Sequence, residues 1–283
     1  MKIHLLFPLL FVFSAIAYGQ QSMQKSIDVN KLNDYLRQLP ATIKVSMVVE
    51  SVTGHRYFAF RPEAKVPAAS VIKIPVLIEL MEQAGKQEIE LTKIYKLTAA
   101  DKTGGSGIIA GMPDGKDFTL RELAQEMIHS SDNTATNVLI REVGMKAIND
   151  NLIRLGSTHT RLNRIMMDTL AARQGRENYV NTVEINDLLR KIYNNKVATP
   201  ALCKEMLEIL KNCADTTTIP RYLPKQVAIA HKTGELSYVR GDAGIVYTGN
   251  PFILSVFVEG FSEMSQAEKI IGDLALICWE SLK

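Results

Sequence analysis

The chain has 283 residues, 46% hydrophobic and 22% charged, which is an ordinary globular composition and long enough to bury a large core. Its 33 basic and 30 acidic residues leave a formal net charge of +3. Neither a dense basic block nor aromatics interleaved with Lys and Arg occur, so nucleic-acid binding finds no support.

The N-terminus reads as an export signal. Met1-Lys2-Ile3-His4 is a positive start, Leu5 to Ala17 is nearly all apolar, and Ala17-Tyr18-Gly19 offers small residues for cleavage near Gly19. The apolar stretch is shorter than the roughly 20 residues a membrane span needs. No Cys follows it to carry a lipid. Residues 1–19 are therefore expected to be a signal peptide, and the mature protein periplasmic or secreted, with no stable membrane anchor.

Helical spacing of Leu32, Tyr35, Leu36 and Leu39 predicts a helix over 29–39. Two β-rich segments, 43–50 and 56–60, flank the turn residues Ser51-Val52-Thr53-Gly54 and predict a hairpin. Pro67 precedes an apolar helical stretch over 71–82. From there to about Asn212 the pattern is mainly helical, with helices expected at 120–129, 133–143, 183–193 and 201–210 and glycine-rich loops at 104–107 and 111–115. Strands follow at 226–230, 242–247 and 252–260, then a helix over 266–282. Neither terminal group of strands is stable alone, so the two are expected to pair. The fold class is α/β (α+β): an antiparallel sheet built from both ends of the chain, 20–68 and 213–283, flanked by helices, with an all-α domain over 69–212 inserted. A site is expected where the two parts meet.

Three cysteines remain, Cys203, Cys213 and Cys278. Cys203 and Cys213 flank one predicted helix, about 15 Å of rise, too far for a disulfide. They read as buried single thiols. The five His are scattered, with no metal-binding spacing.

Three short motifs carry the chemistry. Ser70-Val71-Ile72-Lys73 puts a hydroxyl and an ammonium one helical turn apart, on one face. A serine nucleophile needs an adjacent base, and a buried lysine of depressed pKa can serve. Alone, the pair reads more simply as a helix-start serine and a solvated lysine, and the same pattern recurs at Ser22 to Lys25. Ser131-Asp132-Asn133 sits at a helix start and, alone, reads as a cap. Lys232-Thr233-Gly234 ends a predicted strand, where a small Gly lets a substrate lie along the edge. A second Lys-Thr-Gly at Lys102 lies in a glycine-rich loop.

Together and in this order, Ser-x-x-Lys, Ser-Asp-Asn and Lys-Thr-Gly are the set of class A β-lactamases and penicillin-binding proteins. The chain resembles the class A β-lactamase family of penicillin-recognising serine hydrolases over nearly all of its mature length. Gly105-Ser106-Gly107-Ile108, Asp242-Ala243-Gly244-Ile245-Val246 and Leu162-Asn163-Arg164, which looks like the start of the family's Ω-loop, add to the likeness. The resemblance implies that Ser70 attacks a β-lactam carbonyl to form an acyl-enzyme, with Lys73 sharing the proton transfers. Ser131 would protonate the ring nitrogen. Asn133 and the backbone of Glu235 would bind the substrate amide, Lys232 and Thr233 its carboxylate, and the N–H groups of Ser70 and Glu235 would form an oxyanion hole.

One departure stands out. The family carries a Glu two residues after the Ω-loop arginine, Arg164, and that Glu activates the deacylating water; here Met166 takes its place and Leu170 that of a helping asparagine. A thioether accepts no proton at neutral pH. Met166-Met167-Asp168 with Gly175-Arg176-Glu177-Asn178 looks like a divergent branch of the family. Asp168 is the candidate replacement base and Glu177 a second, although either carboxylate reads more simply as the partner that Arg164 needs to hold the loop closed. The expected function is a serine hydrolase opening β-lactams, with deacylation impaired or using an unusual base. The alternatives are a DD-peptidase acting on peptidoglycan stem peptides and a penicillin receptor with a lasting acyl-enzyme. The expected partner is a small molecule, a β-lactam or D-Ala-D-Ala-like peptide, met by a monomer with no metal and no cofactor.

Overall fold

The computed structural model describes residues 26–283, and the expected signal segment lies outside them. Asp28 accepts from the Lys31 N–H at 2.9 Å and so caps α1 (Val29–Arg37). The hairpin β1 (Lys44–Ser51) and β2 (Arg56–Phe60) follows, then a short strand, β3 (Lys65–Pro67). A 3-10 turn, Ala69–Ile72, leads into α2 (Lys73–Gly85). Strands β4 (Ile94–Lys96) and β5 (Asp117–Thr119) bracket a long loop. Helices α3 (Leu120–His129), α4 (Asn133–Val143) and α5 (Met145–Arg154) come next, then α6 (Thr169–Arg173) and β6 (Tyr179–Asn181). The chain closes with α7 (Thr182–Tyr193), α8 (Pro200–Lys211), β7 (Ile229–Leu236), β8 (Val239–Val246), β9 (Phe252–Glu259) and α9 (Met264–Leu282). No helix among the described residues is long and apolar enough to cross a membrane.

The five strands β2-β1-β9-β8-β7 form one antiparallel sheet, so the two ends of the chain meet at the β1–β9 pair. Alternation along β9 explains how the sheet carries two cores. Phe252, Leu254, Val256 and Val258 face one side with α1 and α9, while Ile253 and Phe257 face the other with α2, α3, α4, α7 and α8. Both faces are covered, which is why β8 reads as buried throughout. α2 is the axis of the second core, buried from Lys73 to Glu82, and Pro75 is tolerated because the first-turn N–H groups have no intrahelical partner. α7 belongs to both parts: its Asn186 donates to Val48 O at 3.1 Å and accepts from Ser255 Oγ at 2.5 Å.

The structure departs from expectation in three places. The inserted part, expected all-α, also holds the β4–β5 ladder and β6, which pairs with β3. The helix expected from Val71 begins as the 3-10 turn carrying Ser70. Lys232-Thr233-Gly234 lies inside strand β7 rather than at its end, paired with Ala243, Asp242 and Gly241.

Candidate active site

Ser70 stands at the junction of two clefts between the sheet edge and the helical part. One, of about 340 Å³, is lined by Ser70, Ser131, Lys232, Thr233, Glu235 and Arg240, among others. The other, of about 370 Å³, is lined by Ser70, Asn133, Met166, Met167, Glu177 and Tyr238 with their neighbours. Residues from all three motifs therefore line one cleft, Ser70, Ser131 and Lys232 among them.

Each motif is held by its local backbone. A 3-10 turn sets residues three apart on one face, and here the Lys73 backbone N–H donates to Ser70 O, so Ser70 and Lys73 share a face. Ala69, just before Ser70, has φ +45°, and Ser131 and Met167 have φ +57° and +62°. Left-handed backbone at three non-glycine cleft residues is strain of the kind that surrounding structure must impose. Asp132 supplies part of that constraint. Its buried carboxylate caps α4 through the Ala135 N–H at 2.8 Å and also accepts from Ile108 N at 2.7 Å and Ile109 N at 2.8 Å. A Cβ at Gly107 would collide with that carboxylate, so the loop has to carry glycine there.

Lys73 lies behind the cleft wall with no solvent exposure. Its Nζ donates to Ser131 O at 2.6 Å, Ser131 Oγ at 3.0 Å and Asn133 Oδ1 at 3.1 Å. Burial lowers its pKa well below the ordinary lysine value, and the nearby Lys232 lowers it further; Asp132 and Cys213 oppose this. Lys232 is also wholly buried, its pKa lowered by the same desolvation, and its Nζ donates to Thr233 O at 3.0 Å. Asn133 commits one amide hydrogen to Gly104 O at 3.0 Å and keeps a second. Glu235 lies on β7, the edge strand, where alternate N–H groups have no strand partner.

Gly234 has a different reason from the one expected. A Cβ there would stand 2.9 Å from Ala68 O and 3.1 Å from Ala69 Cβ, so glycine is needed for the strand to approach the nucleophile turn. Asp168 caps α6, its Oδ1 accepting from the Ala171 N–H at 2.9 Å, and it is not among the residues that line either cleft. Glu177 does line the second cleft, but both its oxygens hold Arg164, at 3.0 Å to Nε and 3.0 Å to Nη2. Glu177 thus closes the loop. Met166 is buried in the wall, its backbone clamped by Asn137 Oδ1 at 2.8 Å and Asn137 Nδ2 at 3.1 Å.

Sequence reasoning missed Arg240, a buried guanidinium in the first cleft that Asp215 holds at 2.6 Å. Nothing in the sequence marks it, because it comes opposite Glu235 only through the β7–β8 register. It also missed what surrounds Cys213, although all three cysteines are free and buried as expected.

A family model described as the β-lactamase enzyme family matches residues 11–282. The chain belongs to that family. A β-lactamase from Bacteroides uniformis is 26% identical over 302 residues, covering 97% of this chain and 98% of the relative. The solved structure of a β-lactamase from Sphaerobacter thermophilus superposes with a TM-score of 0.83 at 29% identity, over 90% of this chain and 97% of that one. PBP-A shares the fold at a TM-score of 0.81 and 22% identity, over 89% of this chain and 95% of its own. This β-lactamase-family chain is a serine hydrolase, and its mixed α/β fold is that of its relatives.

Proposed function

We propose that this enzyme opens β-lactam rings by acylating Ser70 and that its acyl-enzyme is released slowly. The observation that carries the reading is the shared cleft, in which Ser70 faces Ser131, Lys232 and Thr233 while buried Lys73 hydrogen-bonds Ser131.

Lys73, held toward its neutral form, takes the Ser70 proton as Oγ attacks the ring carbonyl. The N–H groups of Ser70 and Glu235 stabilise the oxyanion. Ser131, hydrogen-bonded to Lys73, passes a proton to the departing ring nitrogen. Lys232 and Thr233 hold the substrate carboxylate, and Asn133 its amide. Deacylation is the weak step. On the Met166 side a thioether faces the cleft, and the nearby carboxylates are engaged in a helix cap (Asp168) and an ion pair (Glu177).

Intact-mass spectrometry with a chromogenic cephalosporin tests this. The expected result is a stoichiometric adduct on Ser70, a colour burst and then slow turnover; Ser70→Ala should abolish all three. Absence of an adduct, with release of D-alanine from a stem peptide, would replace β-lactam hydrolysis with peptidase action. An adduct that never clears would make the protein a penicillin receptor.

A further inference from the structure

The acyl-transfer reading leaves one nucleophile unused. Cys213 follows α8 and forms part of the wall between two clefts. One is the cleft of Ser70 and Lys232; the other, of about 520 Å³, is lined by Cys213, His231, Pro220 and Leu223 among others. The second cleft is also lined by His231, a buried residue whose Nδ1 lies 3.0 Å from each carboxylate oxygen of Asp242. Asp242 has no solvent exposure and is fixed by Thr218 Oγ1 at 2.7 Å and Ile219 N at 3.2 Å. With Nδ1 so engaged, Nε2 is the nitrogen left for Cys213, which lines the same cleft as His231. Thiol and imidazole therefore share one wall, with the carboxylate fixing the ring.

The surrounding charge supports a thiolate. Burial favours the neutral thiol, but the His231 hydrogen bond and the charges of His231 and Lys232 outweigh it and bring Cys213 down to about 7, against the opposing Asp242. For His231, burial opposes the charged ring, and Asp242 outweighs it, raising the ring to about 10. Lys73 on α2 also feels the Cys213 charge, and His129, Asp215 and Arg240 line the same cleft. The other two thiols lack this setting. Cys203 is wholly buried and its Sγ donates to Ala198 O at 3.5 Å. Cys278 is wholly buried and burial pushes its thiol up.

We propose that Cys213 is a covalent modification site for small disulfides and related sulfur electrophiles, with His231 and Asp242 as its positioning residues. The Cys213 thiolate attacks one sulfur of the reagent, a new S–S bond forms as the reagent's own S–S bond breaks, and the leaving group departs with the electron pair, a thiolate from a disulfide or a sulfinate from a thiosulfonate. The site goes beyond the acyl-transfer reading and does not depend on it.

Native protein treated with methyl methanethiosulfonate at neutral pH, quenched over time and peptide-mapped, tests the proposal. Cys213 should be labelled at least about tenfold faster than Cys203 or Cys278, since the thiolate is the reacting species. Replacing the ring, His231→Asn, should slow Cys213 labelling about tenfold and move its pH midpoint up toward that of an ordinary thiol, with an unchanged circular-dichroism spectrum. Equal labelling of the three thiols in the native protein overturns the proposal, and so does an unchanged rate and pH profile in folded His231→Asn. Should that variant not fold, the ranking of the three thiols in the native chain decides alone.

Discussion

Gly234 on the sheet edge touches Ala69 in the nucleophile turn so closely that a Cβ on the glycine would lie 3.1 Å from the alanine Cβ. The same Cβ would lie 2.9 Å from Ala68 O, and Ala69 already sits at φ +45°. Strand and turn are thus locked at contact distance, and that contact sets the spacing between Ser70 and Lys232. Gly234→Ala should push β7 outward, at an overpacking cost of about 1–3 kcal/mol. The rate of adduct formation on Ser70 should fall by about tenfold or more, since roughly 1.4 kcal/mol of misplacement in the transition state suffices. Urea unfolding and time-resolved intact-mass spectrometry measure the two effects. Unchanged values for both would mean that the contact does not position the nucleophile.

How far the sequence revealed this arrangement depended on how each element buries its side chains. The span of β9 was legible because it is sandwiched between two cores and reads as an apolar run broken only by Ser255 before Glu259 and Gly260. β7 was legible only over its first residues. It is the edge strand, and its Lys232, Thr233 and Glu235 line the cleft of Ser70, so no alternation of apolar residues marks its extent. α4 and α5 meet at Gly144, φ +86°, with no linker between them, and without a loop signature the second helix went unseen. The three motifs were found because their residue types are fixed by chemistry. Cys213, His231 and Asp242 were not grouped because they come together only through the β7–β8 register, His231 opposite Gly244 and Asp242 opposite Thr233, and a turn that returns α8 to the sheet.

Lys73 and Lys232 make the pH dependence of acylation testable. Burial and the charge of Lys232 hold the Lys73 pKa well below the ordinary lysine value. Neutral Lys73, the form able to take a proton, becomes more abundant as pH rises through that lowered value, so the acylation rate should climb with pH and then level off. Lys232→Ala removes the like-charged neighbour, and the rising limb should move to higher pH, whatever the loss in maximal rate. Stopped-flow measurement of adduct formation across pH reads both. A limb that stays in place would separate Lys73 from the proton transfer. Stability has the same sign for both lysines: the unfolded chain binds more protons between the lowered pKa and the ordinary lysine value, so stability rises with pH across that window.

Glu184 supplies an acid-sensitive tie far from the chemistry. Burial by itself would raise its pKa, but N–H groups of His159 at 2.9 Å, Thr158 at 2.7 Å and Thr160 at 2.6 Å outweigh burial and hold it at about 2. A depressed carboxyl pKa contributes stability that is complete above the unfolded value and is lost as pH falls through the folded one. The protein should therefore lose stability between pH 4.5 and about 2. Glu184→Gln should be less stable at neutral pH and should show a flatter decline over that interval. Urea midpoints at several acidic pH values, compared between the two proteins, check this. Parallel declines would assign the acid sensitivity to other carboxylates.

Met166 is where restoring one functional group should change the fate of the acyl-enzyme. Its backbone is clamped on both sides by Asn137, so a replacement side chain starts from a fixed position on the wall that Ser70 shares. Met166→Glu places a proton acceptor there, and the adduct lifetime on Ser70 should shorten at least about tenfold, the lower range for a positioned general base being roughly a hundredfold. Met166→Gln has the same reach without a basic oxygen and should leave the lifetime unchanged, which separates base catalysis from altered packing. Asp168→Asn should also leave it unchanged, since that carboxylate is engaged by the α6 N-terminus. Adduct decay followed by mass spectrometry after removal of free β-lactam gives all three lifetimes. If Asp168→Asn lengthens the lifetime while Met166→Glu does not shorten it, the deacylating water is activated from the Asp168 side and the missing glutamate is not the cause of slow release.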